Sequence, residues 1–88
     1  MDRHVFRVIN ELQVLMQSFP GGSSSDTVTI TIFDLTDNVT DVNGVAMTYV
    51  TLNTWKYEWT PLEAHFYSID FYNAQQDTHF YEYTEVTE

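Results

Sequence analysis

The stretch Thr27-Val28-Thr29-Ile30-Thr31-Ile32-Phe33-Asp34 indicates the fold class of this 88-residue chain. Its apolar residues Val28, Ile30 and Ile32 alternate with threonines, and successive side chains of a β-strand point to opposite faces of a sheet. β-Branched residues also favour strands, because they pack well on a pleated surface. The stretch therefore predicts a strand with one face in a core and a threonine ladder on the other.

The residues before this strand contain a loop and an ambiguous segment. Residues 20–26, with one proline, two glycines and three serines, predict a flexible connection. The apolar residues from Val5 to Phe19 fit both a helical stripe and an alternating strand. Because strands need pairing partners and the remaining chain predicts strands, we expect a strand over Glu11–Phe19. Residues 1–10 would then form an N-terminal arm.

The residues after residue 34 predict further short strands. Asn43-Gly44 lies between two valine-rich segments and is typical of a tight hairpin turn. Residues 55–59 alternate aromatic and charged side chains and stop before Pro61, which cannot donate a ladder hydrogen bond. Aromatic runs at 65–72 and 79–84 flank a polar connection. Six or seven such strands predict an all-β sandwich or barrel over residues 11–88.

Charge and composition restrict the classes of partner. Thirteen acidic residues face three basic ones, for a net charge of −10, so we expect no nucleic-acid partner. No stretch approaches the roughly 18 apolar residues of a membrane span, and we expect a soluble protein with no membrane partner. The chain has no cysteine, which leaves neither a disulfide framework nor a thiolate metal site.

The order of these features resembles small immunoglobulin-like domains of tailed-bacteriophage structural proteins. The resemblance covers about residues 11–72, with Asn53-Thr54 in place of a glycine that often precedes the aromatic strand. It rests on four segments, namely 27–34, Val45-Ala46-Met47-Thr48, 55–61 and Ala64-His65-Phe66-Tyr67-Ser68-Ile69. The resemblance implies an immunoglobulin-like antiparallel β-sandwich located in the virion, as a capsid-decorating, neck or tail accessory protein.

On this interpretation the arm, from Asp2 to Asn10, docks on other virion proteins or on copies of the chain itself. An extended segment can add a strand to a neighbouring sheet, and repetition in a particle multiplies a weak contact. The two arginines would tether the arm to an acidic neighbour. The expected contact residues of the arm are Arg3, Val5, Phe6 and Arg7.

Surface aromatic residues are the second predicted binding feature. Trp55, Tyr57 and Trp59 share one strand face, which is typical of a core strand and also of a glycan-stacking platform; burial is the simpler interpretation. Tyr81 and Tyr83 are expected near a contact surface, because tyrosine is enriched at interfaces. A carbohydrate-binding module is therefore the alternative function. An acidic mimic of nucleic acid, which would inhibit a DNA-binding enzyme, is the second alternative.

The titratable residues predict neither an enzyme nor a cofactor or metal site. The histidines His4, His65 and His79 lack the short spacing of a zinc motif, although the last two open neighbouring aromatic runs and would meet across a ladder. The acidic residues Asp34, Asp37 and Asp41 do not match a calcium loop and are expected to form turns. Asp70 lies within an apolar run, so its facing is left open.

Overall fold

A computed structural model describes residues 3–88, which form eight β-strands and no helix. The all-β prediction is confirmed, with eight strands in place of six or seven. None of the described residues forms a helix that is long and apolar enough to cross a membrane. The strands are β1 (Arg3–Val8), β2 (Gln13–Ser18), β3 (Val28–Asp34), β4 (Val39–Ala46), β5 (Thr48–Thr51), β6 (Thr54–Trp59), β7 (Phe66–Asn73) and β8 (Thr78–Thr87).

The strands form two sheets that enclose a common core, and this confirms the predicted sandwich. One sheet has the order β1-β8-β7-β3-β4 and the other the order β2-β6-β5. All pairs are antiparallel except β1 with β8. Both sheets contribute to the buried cluster of Leu15, Phe19, Val28, Ile30, Ile32, Met47, Trp55, Trp59, Tyr67, Ile69, Phe71 and Val86.

Strand β3 has the predicted two faces. Val28, Ile30 and Ile32 are buried, while the threonines between them lie on the outer side and are half-buried. The predicted strand in the ambiguous N-terminal segment is confirmed as β2, which pairs with β6 from Gln13 opposite Trp59 to Ser18 opposite Thr54. Cross-strand pairing in this register decides between the helical and extended alternatives that periodicity left open.

Asn43-Gly44 does not form the predicted hairpin turn. Strand β4 runs through both residues, and the turn between β3 and β4 lies at residues 35–38. Val42 is opposite Ile32 and Val45 is opposite Ile30, so Asn43 and Gly44 together face one residue, Thr31. Gly44 has φ +60° and donates its N–H to Thr31 Oγ1 at 3.0 Å. The positive φ that glycine permits therefore serves a β-bulge.

Residues 3–8 belong to the sandwich, which corrects the predicted arm over residues 1–10. Strand β1 pairs in parallel with β8, from Arg3 opposite Glu82 to Val8 opposite Thr87, and Ile9 N–H continues the ladder to Thr87 O at 2.9 Å. The edge of β8 offers unpaired backbone groups, and β1 satisfies them. Met1 and Asp2, which the predicted arm included, lie outside the described residues.

Candidate functional site

The outer face of the five-stranded sheet carries the exposed aromatic side chains of the described residues. Four Phe and Tyr side chains of residues 3–88 are exposed, and all four lie on this face: Phe6 66%, Phe66 54%, Tyr83 43% and Tyr81 39%. With half-buried or exposed neighbours they form a surface that we call the outer aromatic face. It consists of Phe6, Phe33, Phe66, Tyr72, His79, Tyr81 and Tyr83.

Alternation along two adjacent strands puts these rings outside. In β7, Tyr67, Ile69 and Phe71 are buried, so the even-numbered residues between them face outward. In β8, Glu82 and Thr84 are buried, so the odd-numbered residues face outward. The predicted contact residues Tyr81 and Tyr83 therefore lie at the surface, and Asp70, whose facing was open, also lies on the outer side.

One row of this face places a carboxylate between two exposed rings. Glu85 of β8 is the register partner of Phe6 in β1 and also of Phe66 in β7. Side chains at such directly opposite positions have Cβ atoms about 4.5–5.5 Å apart. Within residues 3–88, the Glu85 carboxylate has no hydrogen bond and no ion pair. We call Phe6, Glu85 and Phe66 the Phe–Glu–Phe row.

The other end of the face is held together by its own contacts. The rings of Tyr72 and His79 stack with their centroids 4.3 Å apart, and the His79 ring is nearly parallel to that of Tyr81, with an interplanar angle of 4°. His79 Nδ1 lies 2.8 Å from Asp70 Oδ1. Tyr72 donates its hydroxyl hydrogen to Asp77 Oδ1 at 3.1 Å, and this bond raises the pKa of Tyr72.

Behind the outer face, a buried carboxylate pairs with both of the arginines that were expected to contact an assembly partner. Glu82 lies on the inner side of β8 and pairs with Arg7 Nη2 at 2.7 Å and Arg3 Nη2 at 3.4 Å. The Thr84 hydroxyl also donates to Glu82. The arginines reach the second sheet, with hydrogen bonds of 3.1 Å from Arg7 to Gln13 and from Arg3 to Gln17. Both arginines therefore stabilise the domain itself.

The predicted aromatic strand β6 belongs mainly to the core. Trp55 and Trp59 are buried, and Tyr57 is half-buried and packs against the core. The rings of Trp59 in β6 and Tyr67 in β7 pack edge to face with their centroids 5.0 Å apart, and this contact joins the two sheets. The core interpretation is confirmed for both tryptophans, and the glycan platform on this strand is wrong. Of the predicted arm contacts, Phe6 points outward while Val5, on the opposite side of β1, is half-buried.

A second group of polar residues lies at one end of the sandwich, and we call it the acidic end: Asp34, Asp37, Asp41, Glu63 and His65. His65 Nδ1 lies 2.7 Å from Asp34 Oδ2, and this hydrogen bond raises the pKa of His65. Burial alone would raise the pKa of Asp34, but hydrogen bonds from the backbone N–H of Asp37 and from His65 lower it overall. The N–H groups of Thr36 and Asp37 both donate to Asp34 Oδ1 at 2.9 Å, which confirms its predicted role in a turn.

A cleft of about 390 Å³ opens beside the acidic end, lined by Asp41, Val42, Trp59, Thr60, Pro61, Leu62, Glu63 and Tyr67. Burial and the nearby carboxylates, Asp34 foremost, raise the pKa of Tyr67 to about 12. Burial and the neighbouring Asp34 charge also raise the pKa of Asp41. The walls are therefore apolar aromatic surface and the rim is negatively charged.

The histidines do not combine as a metal site. Among residues 3–88, Asp34, Asp37 and His65 do place one ligand atom each within 4.8 Å of one another. His65 Nδ1 lies 2.7 Å from Asp34 Oδ2, so these two groups are already hydrogen-bonded to each other. His65 precedes β7, opposite Val86, whereas His79 pairs with Tyr72 at the far end of the hairpin. The predicted meeting of these two histidines is wrong.

No protein-family model matches this sequence, and no curated protein matches it significantly. Sequence reasoning found Tyr81, Tyr83 and Phe6 but missed Phe66 and Glu85 as parts of one surface. The alternation of Tyr67, Ile69 and Phe71 was an available signal for the outward position of Phe66. Glu85 joins this surface only through its register with two other strands, which no local pattern shows.

Proposed function

We propose that this chain is a non-enzymatic assembly subunit that docks on another protein through its outer aromatic face. The observation that supports this is the exposure of four Phe and Tyr side chains on one face of one sheet. Contiguous exposed apolar surface marks interaction sites in soluble proteins. Aromatic residues are enriched, and charged residues depleted, at the centres of protein interfaces. The outer aromatic face shares this enrichment in aromatic residues, and it also carries two carboxylates, Glu85 and Asp70.

The proposed setting is the virion of a tailed bacteriophage, as a capsid-decorating, neck or tail accessory protein. The resemblance to immunoglobulin-like phage domains is the support for this setting, and a two-sheet β-sandwich is the architecture that such domains require. The immunoglobulin-like assignment stays a prediction. Repetition of one docking contact around a symmetric particle would multiply its strength.

The proposed partner is a different protein and not a second copy. With a net charge of −10, two copies repel each other at short range. The three Lys and Arg side chains already have acidic partners within the chain, since Arg3 and Arg7 pair with Glu82 and Lys56 pairs with Glu58. A basic neighbour therefore complements this surface better than a copy does.

The test is a mutation, made in the genome that encodes the chain, of the two residues whose aromatic rings are most exposed. We expect the wild-type chain in purified tailed particles, and we expect the double variant Phe6→Ser/Phe66→Ser to be lost from them, as measured by quantitative mass spectrometry. A matched control, Leu12→Ser/Leu52→Ser, changes two side chains that are 59% and 84% exposed and lie outside the face. Absence of the wild-type chain from particles would contradict the virion role. Full occupancy by the double variant would contradict docking through this face.

Glycan binding is a second candidate function, supported by the exposure of Tyr81 and Tyr83 on one strand face. Flat rings of this kind can stack on sugar faces. Because Trp55 and Trp59 are buried, tryptophan fluorescence is a poor reporter for this surface. Resonance shifts of the two tyrosines in an NMR titration with host-surface oligosaccharides would support this candidate, and unchanged spectra at millimolar sugar would reject it.

A further inference from the structure

We propose that the Phe–Glu–Phe row is a receptor for an arginine side chain of the docking partner. This inference rests on the proposed function, because it names the chemistry that the partner brings to the outer aromatic face. The receptor would consist of the Glu85 carboxylate as the anion and of the Phe6 and Phe66 rings as its two walls.

The pairing register builds the receptor from three adjacent strands. Phe6 of β1 and Phe66 of β7 are both directly opposite Glu85 of β8, so the three side chains stand in one line across the sheet. The rings are 66% and 54% exposed, whereas Glu85 is half-buried between them. Glu85 therefore keeps part of its surface exposed and has an exposed ring at the directly opposite position of each neighbouring strand.

Glu85 differs in its pairing from Asp70 of β7 and from Glu82 of its own strand. Asp70 contacts His79 on the same outer face, and Glu82 is neutralised by two arginines on the inner face. Among the described residues, Glu85 has no cationic partner. A charge beside apolar groups is less well solvated than one in open water, so a cation from outside is bound more strongly there.

The chemistry of the row favours arginine over lysine. A guanidinium group is planar, pairs with a carboxylate through two parallel hydrogen bonds and stacks on aromatic rings. A cation over an exposed Phe ring adds a favourable electrostatic contact. Lysine has the charge but not the flat surface. Because Arg3, Arg7 and Lys56 are already paired within the chain, the arginine comes from a different protein.

A peptide titration tests the receptor without the partner. The probe is a blocked tripeptide with a central arginine, added to ¹⁵N-labelled protein at low salt, and a central-lysine peptide serves for comparison. We expect the amide resonances of the row to shift, with weaker binding of the lysine peptide. Glu85→Gln should weaken arginine binding about twofold to fivefold, the range for an exposed ion pair with ring contacts. Glu11→Gln, an equal charge change at an exposed loop residue, should leave binding unchanged.

Two results would overturn the receptor. One is a set of shifts confined to the acidic end, around Asp37 and Glu63. The other is an equal effect of Glu85→Gln and Glu11→Gln. The amount of each variant in purified particles separates this inference from the docking proposal. If Phe6→Ser/Phe66→Ser is lost from the particles while Glu85→Gln is present at the normal level, docking through the face stands and the arginine receptor is rejected. Normal occupancy by both variants would reject the two proposals together.

Discussion

Strands β3 and β8 lie in the same sheet but distribute polar side chains in opposite ways. β3 turns Val28, Ile30 and Ile32 inward and threonines outward. β8 turns Glu82 and Thr84 inward and presents Tyr81 and Tyr83 to the outside. The inner face of a strand is therefore not always its apolar face. What decides the polarity is the set of groups that pack against each face.

Each strand also buries one carboxylate, and the two are neutralised differently. Asp34 ends β3 and accepts hydrogen bonds from the N–H groups of the turn that follows it, with His65, 31 residues away, as a further partner. Glu82 lies in the middle of β8 and depends on arginines from the other end of the chain, 75 and 79 residues away. Turn residues next to Asp34 in the sequence supply part of its protection, whereas both cations beside Glu82 require β1 to be in place.

Among the charged residues, the largest expected effect on stability is that of removing a cation from Glu82. Arg7→Ala removes the partner at 2.7 Å from a side chain that is only 3% exposed. Because Arg7 is the nearest cation to this buried carboxylate and Arg3, at 3.4 Å, replaces it only in part, we expect the free energy of unfolding to fall by up to about 3 kcal/mol. Urea denaturation of both proteins measures the change.

Arg3→Ala is the matched control, since Arg3 is 46% exposed and lies 3.4 Å from the same carboxylate. It should lower stability by less than about 1 kcal/mol. The paired replacement Arg7→Met/Glu82→Leu should come within about 1 kcal/mol of the wild type, because it removes both charges together. Equal losses for Arg7→Ala and Arg3→Ala would show that Glu82 does not depend more on Arg7 than on Arg3.

A smaller loss of stability is expected from a change at the β-bulge of β4, which lies beside Thr31 of β3. Gly44→Ala forces an alanine to φ +60°, although no atom lies within 4 Å of the added Cβ. The cost is therefore backbone strain alone, about 1 kcal/mol. Thermal denaturation provides the measurement, and the control is Ala46→Val, which also enlarges an exposed side chain of β4 but at a position without positive φ. An unchanged melting temperature for Gly44→Ala would contradict the bulge geometry.

The hydrogen bond between His65 and Asp34, the buried carboxylate of β3, should make the stability of the protein depend on pH. The pKa of His65 is raised above 6.5 by Asp34, so its contribution to stability is complete below pH 6.5 and is lost as the pH rises through the raised value. Asp37 and Glu63 also face His65 and act in the same direction. The pKa of Asp34 is lowered below 3.8, so its contribution is present above pH 3.8 and is lost as the pH falls further.

We therefore expect His65→Gln to reduce the difference in unfolding free energy between pH 6 and pH 8.5. Urea denaturation at both values tests this, with His4→Gln as a control at an exposed histidine outside the acidic end. If the difference in unfolding free energy between the two pH values is unchanged in His65→Gln, the His65–Asp34 pair does not cause it.

The smallest effect on stability is expected on the outer face of β8. Tyr83→Thr should change the free energy of unfolding by about 0.5 kcal/mol or less, because the side chain is exposed and threonine also favours strands. The same variant should lower particle occupancy. Phe71→Ala, at a buried position of β7, is the contrasting change and should cost about 3–5 kcal/mol. A large loss of stability for Tyr83→Thr would mean that this ring serves the fold and not a partner.

Local sequence was sufficient where one strand face matched the core in the usual way. The alternation in 27–34 predicted both faces of β3, and the aromatic alternation in 55–59 predicted the buried tryptophans of β6. The Asn43-Gly44 signal correctly indicated positive φ at Gly44 but could not say whether a turn or a bulge would use it. That choice depends on the register with Thr31, which lies in another strand.

The sequence by itself determined the all-β class and the two faces of β3, because both follow from local patterns of side chains, and the tyrosine side chain itself indicated that Tyr81 and Tyr83 lie near a surface. The segment that became β2 fitted a helix and a strand alike, and its pairing with β6 decided between them. Only the tertiary structure decided that residues 3–8 pair with β8, that Glu82 is buried between two arginines and that Phe6 and Phe66 flank Glu85. These contacts join residues about 20 to 80 positions apart. Side-chain periodicity describes one segment at a time, so it carries no information about which distant segment supplies the counter-charge or the neighbouring ring.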